Sequence, residues 1–358
     1  MKNEDLNILW LDLFENLSYA KKIKLLSLVE KGECLRKRFL KNPEIQNSLS
    51  KQEFAKMALC LSDEFLLRHI KAYQDDNIEI ITFNNEKYPY MLREINSPPL
   101  CLYCKGNTQL LNSFCFGVVG TRKPTEYGIV VTKQYCKTLC SANLTIVSGL
   151  AVGIDSVAHK TALEENGNTI AVLASGFKHI YPSINNMLAN KITENNLLIS
   201  EYPPNTKPQT YYFPIRNRII AGLSKGILVP EMGEKSGTMH TINYALENNR
   251  ELFVVPGKIN SEMSKGTNQL IKSLQASITT TPDDILEAFH IKNSAEKIDK
   301  QVDIVSQLIL EFLKTEKHTF QEILEHTNLS ANELNVSLMM LEMEGLILKV
   351  ANNSYIAT

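Results

Sequence analysis

The sequence of 358 residues carries a single tryptophan and no apolar run approaching the roughly 18 to 20 residues that a membrane helix needs. Its first segment, Met1 to Asp12, is acidic and amphipathic and lacks the basic-then-apolar order of a secretory signal. A cytoplasmic protein with no membrane partner is expected. Net charge is also nearly absent, 38 Lys and Arg standing against 39 Asp and Glu for a formal −1. This excludes a uniformly basic protein that coats nucleic acid, but leaves a local patch open. Cysteine is sparse and odd in number at seven, so reduced thiols are expected rather than a disulfide framework. Cys101 and Cys104 form a C-x-x-C with no second such pair after it. In the extended apolar run Pro99 to Cys104 an offset of three turns the two side chains to opposite faces, so packing rather than a metal site is expected. Neither G-x-G-x-x-G nor G-x-x-x-x-G-K-[ST] occurs, and no cofactor is expected.

What is present falls into three textures. Leu6, Leu9, Trp10, Leu13, Phe14 and Leu17 recur at helical spacing, Ser18 is placed to cap a following helix, and the helical pattern continues to about Tyr73. Residues 1–75 therefore read as a small helical domain. From 76 to 289 nearly continuous apolar strands alternate with helices: Ile78 to Phe83, Phe114 to Val119, Leu144 to Val147, Thr169 to Leu173, Leu197 to Ser200, Gly226 to Pro230 and Leu252 to Val255. That order predicts an α/β domain whose parallel sheet is covered on both faces, with ligands beyond the carboxyl ends of its strands. A polar linker, 290–300, follows. Residues 301–358 read as three helices and a hairpin around Asn352-Asn353, the winged-helix order.

Small-residue loops sit where strands meet helices. Gly120-Thr121-Arg122-Lys123 follows one strand, and Ser148-Gly149-Leu150-Ala151-Val152-Gly153 follows another, leading into a helix with Asp155, His159 and Lys160. Such loops leave backbone N–H groups free for a phosphate. Arg216-Asn217-Arg218 at a helix start and the loop Lys235-Ser236-Gly237-Thr238 add cations and donors, and Lys258 and Lys265 follow. Asp155 and His159, four apart, share a helix face and are read as a pair that shapes the loop, with no catalytic residue assigned. Tyr181 and Phe213 are candidates to stack on bases.

These residues, in this order, resemble the DprA (Smf) family of DNA-processing proteins. The match runs from about residue 85 to 280 and includes Gly120-Thr121-Arg122, Ser148 to Asp155 with His159, Tyr181-Pro182 with Asn185, Ser200 to Pro204, Phe213 to Ser224, Ser236-Gly237-Thr238 and Pro256-Gly257. The resemblance implies an extended Rossmann-like domain flanked by a SAM-like helical domain and a winged helix. It further implies a homodimer that binds single-stranded DNA, protects it and loads the RecA recombinase during natural transformation.

Charge counted in blocks fits such a partner. Residues 205–275 carry a net +4 and residues 276–358 a net −7, so near-neutrality is cancellation between segments. The last block offers Lys349 near its wing and Asn332, Glu333 and Asn335 on its third helix, which reads as a protein-contact module rather than a duplex reader. A nucleotide phosphoribohydrolase on a related fold is the rival reading. Its loop is followed by a glutamate, where this chain has Met239, His240 and Thr241.

Overall fold

The computed structural model describes residues 2–15, 17–291, 304–314, 316–343, 345–350 and 354–357. Most of the expected linker, from residue 292 on, and the Asn352-Asn353 turn lie outside the described residues. Two compact units result, Met1–Ser294 and Ala295–Thr358.

The first unit opens with α1 (Asn3–Asp12), α2 (Tyr19–Ser27), α3 (Leu35–Arg38), α4 (Pro43–Asn47), α5 (Lys51–Ala58) and α6 (Asp63–Asp75). Ser18, Ser50 and Ser62 cap α2, α5 and α6 by accepting from the amides of Lys21, Glu53 and Phe65. The helical spacing that ran through Leu17 stops earlier than its pattern suggested. α1 ends at Asp12, and Phe14 and Leu17 then close over the buried Trp10, whose indole meets Phe14 and Phe39 edge-on at 5.5 and 5.3 Å. This core runs on into Cys101 and Tyr103 of the sheet. Asp12 anchors the junction, accepting from Lys22 Nζ at 2.8 Å and from Tyr103 Oη at 2.9 Å.

The sheet contains β1 (Glu79–Thr82), β2 (Cys101–Gly106), β3 (Cys115–Val118), β4 (Thr145–Ser148), β5 (Asn168–Leu173), β6 (Leu197–Ser200), β7 (Gly226–Val229), β8 (Glu251–Val254) and β9 (Ser277–Ile278), in the order β1-β2-β6-β5-β4-β3-β7-β8-β9. From β6 to β9 all neighbours are parallel, as the buried apolar runs require; β1 and β2 are antiparallel additions at one edge. The strand over Ile78 to Phe83 is thus an antiparallel edge. The run Pro99 to Cys104 is its partner, with Cys101 and Cys104 buried in two different cores on opposite faces. Helices α7 (Tyr90–Arg93), α8 (Glu126–Ser141), α9 (Ile154–Glu164), α10 (Asn186–Asn195), α11 (Tyr212–Leu223), α12 (Thr238–Glu247), α13 (Lys265–Lys272) and α14 (Pro282–Ala288) complete the unit.

Strands β3 to β6 are laid down in one direction across the sheet, and β7 then returns to the other side of β3. This reversal is the topological switch point, where loops leaving adjacent strands diverge and open a crevice. The crevice falls between the loop after β3 and the loop after β7.

The second unit contains α15 (Ile304–Leu313), β10 (His318–Thr319), α16 (Phe320–Thr327), α17 (Ala331–Met343), β11 (Ile347–Val350) and β12 (Ser354–Ala357), the strands pairing antiparallel in the order β10-β12-β11. Its core gathers Ile309, Leu313, Ile323, Leu334, Leu338, Leu341, Ile347 and Tyr355. Lys349 lies over the Tyr355 ring at 5.5 Å.

Candidate nucleic-acid interface

A cleft of about 610 Å³ opens at the switch point. Gly120, Thr121, Arg122 and Lys123 form one wall, Gly233, Lys235, Ser236, Gly237 and Thr238 the other, and Phe213, Arg216 and Asn217 of α11 the floor, with Tyr181 alongside. The two walls are joined by hydrogen bonds: Thr121 N donates to Glu231 O at 2.9 Å, and Thr238 Oγ1 to Gly120 O at 3.1 Å. Gly120 is required by this closeness, because a Cβ there would stand 2.7 Å from Ile154 Cγ1 and 2.8 Å from Glu231 O. Gly237, the N-cap of α12, faces open space instead, while the amides of Thr238, Met239 and His240 turn back onto Ser236 Oγ, Ser236 O and Gly237 O.

The side chains bordering this space differ sharply in what they are free to do. The side chains of Arg122, Lys123 and Lys235 are exposed and make no hydrogen bond or ion pair among the described residues. Arg216 is only 5% exposed, and its Nη1 donates to Gly149 O at 2.8 Å and to Val172 O. Burial lowers its pKa to about 10, against the opposing pull of Asp155. The Asp155 carboxylate accepts from Gly149 N at 3.1 Å and Ala151 N at 3.4 Å, and burial raises its pKa against the opposing effect of Arg216 and these amides. Arg216 and Asp155 therefore clamp the loop after β4 from two sides.

His159 does not join Asp155 directly. Its Nδ1 meets Thr169 Oγ1 at 2.7 Å, and burial, aided by the Arg216 charge, holds its pKa down to about 3. Ser148 Oγ donates to Val118 O at 2.6 Å, and Asn185 Nδ2 donates to Leu150 O and Ser156 Oγ, both at 2.9 Å. Gly149 and Gly153 give the close approach of this loop; a Cβ on Gly153 would meet Thr121 O at 2.4 Å. These loop residues build the wall from behind.

Of the remaining expected residues, Arg218 is paired with Glu201 and Lys265 with Glu262 at 2.6 Å. Lys160 is exposed on α9 outside the cleft lining, and Lys258 lines a separate cavity with Tyr127, Ser261 and Ser264. Two residues beside the cleft were not among the expected site residues. Lys123 stands beside Arg122 as a second free cation of the same turn, a position its place after a strand-end glycine already marked. Glu231 caps α8, accepting from Thr125 N at 2.8 Å and Thr125 Oγ1 at 2.7 Å, so it turns away from the cleft.

A parallel-dominated Rossmann-like sheet with a switch-point cleft bordered by Arg122, Lys123 and Lys235 and by the rings of Tyr181 and Phe213 defines the α/β class of this protein. A family model described as DNA recombination-mediator protein A matches residues 79–290, and the chain belongs to this DprA/Smf family. DNA processing protein DprA of Bacillus subtilis is 42% identical over 64% of this chain and 77% of its own length. Protein Smf of Escherichia coli is 43% identical over 60% of this chain, which spans 57% of that relative. Among solved structures, DNA processing protein A from Streptococcus pneumoniae superimposes with a TM-score of 0.68 at 32% identity, covering 80% of this chain and 98% of that one. DNA processing protein A from Helicobacter pylori, solved to describe its unique single-stranded DNA binding mode, gives 0.54 at 31% identity over 59% of this chain and 96% of that one. No helix among the described residues is long and apolar enough to cross a membrane.

Proposed function

We propose that the cleft binds single-stranded DNA, and that the chain acts in the cytoplasm as a non-enzymatic homodimer that protects incoming DNA and loads RecA onto it during natural transformation. The observation that carries the DNA reading is the convergence on one cleft of Arg122, Lys123 and Lys235, whose side chains have no partner among the described residues. Phosphates sit against these groups, with bases toward Tyr181 and Phe213, whose rings lie edge-to-face at 5.5 Å. Recognition through the backbone is sequence-independent. The single-stranded DNA bound by the Helicobacter relative supports the same substrate here.

The dimer reading draws on the open sheet edge at β9, where Ile278 is exposed. An apolar edge of this kind favours pairing with a second copy. Against a phosphoribohydrolase stand Met239, His240 and Thr241 after the loop Ser236-Gly237-Thr238, where the glutamate of that activity would follow, and the engagement of Glu231 at Thr125.

Fluorescence anisotropy with an oligothymidylate tests the DNA reading: Arg122→Ala and Lys235→Ala each weaken binding several-fold while unfolding as wild type does. Undiminished binding by both variants contradicts it. Assembly of RecA on DNA coated with single-strand-binding protein tests the loader; absence of acceleration removes that role.

A further inference from the structure

The start of α11 carries three aromatic residues in succession, and they divide between two places. Phe213 faces the cleft and meets Tyr181. Tyr212 turns the other way and stacks on Tyr202 with ring centroids 4.0 Å apart and 27° between planes. Tyr211 then leans on Tyr212 at 4.6 Å and 68°, and its own ring is 61% exposed. Tyr211 thus ends a braced aromatic column at the rim, between Thr210 and Phe213, both of which line the cleft.

The bracing is substantial. The backbone of Tyr202 is held by the side chain of Ser200, whose Oγ accepts from Tyr202 N at 3.0 Å. The loop between Tyr202 and Tyr211 is fixed through Thr206, whose Oγ1 donates to Glu15 Oε1 at 2.6 Å and whose carbonyl accepts from Gly176 N at 2.9 Å. A ring held this way loses little freedom when a flat ligand covers it, the condition under which stacking yields most. The same loop presents Lys207, exposed and without a side-chain hydrogen bond or ion pair among the described residues. One loop therefore offers a free aromatic face and a free cation, the two groups a nucleotide needs.

We propose that Tyr211 and Lys207 form an outer nucleotide subsite, in which single-stranded DNA leaving the cleft past Phe213 stacks a further base on Tyr211 and sets a phosphate against Lys207. This rests on the cleft being the DNA site. The cleft and the rim then form one continuous track, and affinity rises with strand length until the strand reaches Tyr211.

The test compares Kd for a series of oligothymidylates of increasing length, in wild type, Tyr211→Ala, Tyr211→Phe, Lys207→Ala and Arg122→Ala. For wild type a step in affinity appears when the strand becomes long enough to reach the rim. Tyr211→Ala removes that step, a loss of about ten-fold on long strands for one stacked base, and leaves short strands unaffected. Tyr211→Phe keeps the step. Lys207→Ala lowers the salt slope on long strands by about 0.7 and leaves it unchanged on short ones. Tyr211→Ala matching wild type at every length, or weakening short and long strands alike, overturns the proposal, the second result meaning that the ring only supports the cleft wall. Loss of the step in Tyr211→Phe overturns stacking as its cause. Arg122→Ala separates the two readings: if it leaves short strands bound as before, the cleft itself is not the DNA site, whatever Tyr211 does.

Discussion

Replacing Arg216 by methionine keeps the length and apolar stem of the side chain and removes its charge. Sequence alone makes Arg216 look like a phosphate contact, whereas its guanidinium is buried and spends its donors on Gly149 O and Val172 O beside Asp155. A hydrogen bond from a charged group contributes about 1.5–3 kcal/mol, and Arg216 makes two to backbone carbonyls, besides easing the burial of the nearby Asp155 carboxylate. Arg216→Met should therefore lose about 3–5 kcal/mol, a large fraction of the roughly 5–15 kcal/mol typical of a folded protein. Urea unfolding followed by Trp10 fluorescence reads this directly, since Trp10 is the sole tryptophan and is buried in the same unit. The double variant Arg216→Met with Asp155→Asn should recover part of the loss, because it removes the stranded carboxylate. Arg122→Ala, at an exposed position, should change stability by less than about 0.5 kcal/mol. An Arg216→Met protein as stable as wild type, or a double variant less stable than the single by the full effect of Asp155→Asn, refutes the reasoning.

Other perturbations have equally definite outcomes. His159 takes up a proton below about pH 6.5 when unfolded but only near pH 3 when folded, so stability present above pH 6.5 is lost as pH falls. Between pH 7 and 5 this amounts to about 2 kcal/mol, seen as a falling urea midpoint that His159→Asn flattens; comparing the two proteins isolates His159 from Asp155, whose raised pKa acts in the opposite sense. Gly153 lies at φ 85° and ψ −133°, and Gly153→Ala drives a Cβ into Thr121 O, so thermal unfolding should show a loss of at least about 3 kcal/mol. Glu231→Gln weakens the cap on α8 by about 1–3 kcal/mol, and neither it nor wild type should release free base from a nucleoside monophosphate.

Much of the fold is readable along the chain because buried parallel strands appear as unbroken apolar runs, as at Phe114 to Val119 and Thr169 to Leu173. The edge strand β1 and its partner β2 share that texture, and only their pairing reveals them as antiparallel. The loops of the cleft are legible for a similar reason: glycine and small residues cluster where strands meet helices. What the sequence conceals is which cations remain free. Arg122, Arg216 and Arg218 look alike in a list, but the partners of the latter two lie 17 to 67 positions away in the chain, at Glu201, Val172 and Gly149. The positive block over residues 205–275 therefore overstates the charge offered to DNA, since Arg216, Arg218 and Lys265 are all engaged internally. Lys123, outside that block, restores part of it.

The measurement that bears most directly on the cleft is the dependence of log K on log salt for a short single strand, in wild type and Arg122→Ala, with a duplex of equal length beside it. Three free cations in the cleft predict a slope of about −2 for the single strand, at roughly −0.7 for each phosphate neutralised. Arg122→Ala should reduce it to about −1.4, and the duplex should bind more weakly at every salt concentration. A slope near zero, or one unchanged by Arg122→Ala, would contradict the assignment of the switch-point cleft as the single-stranded DNA site.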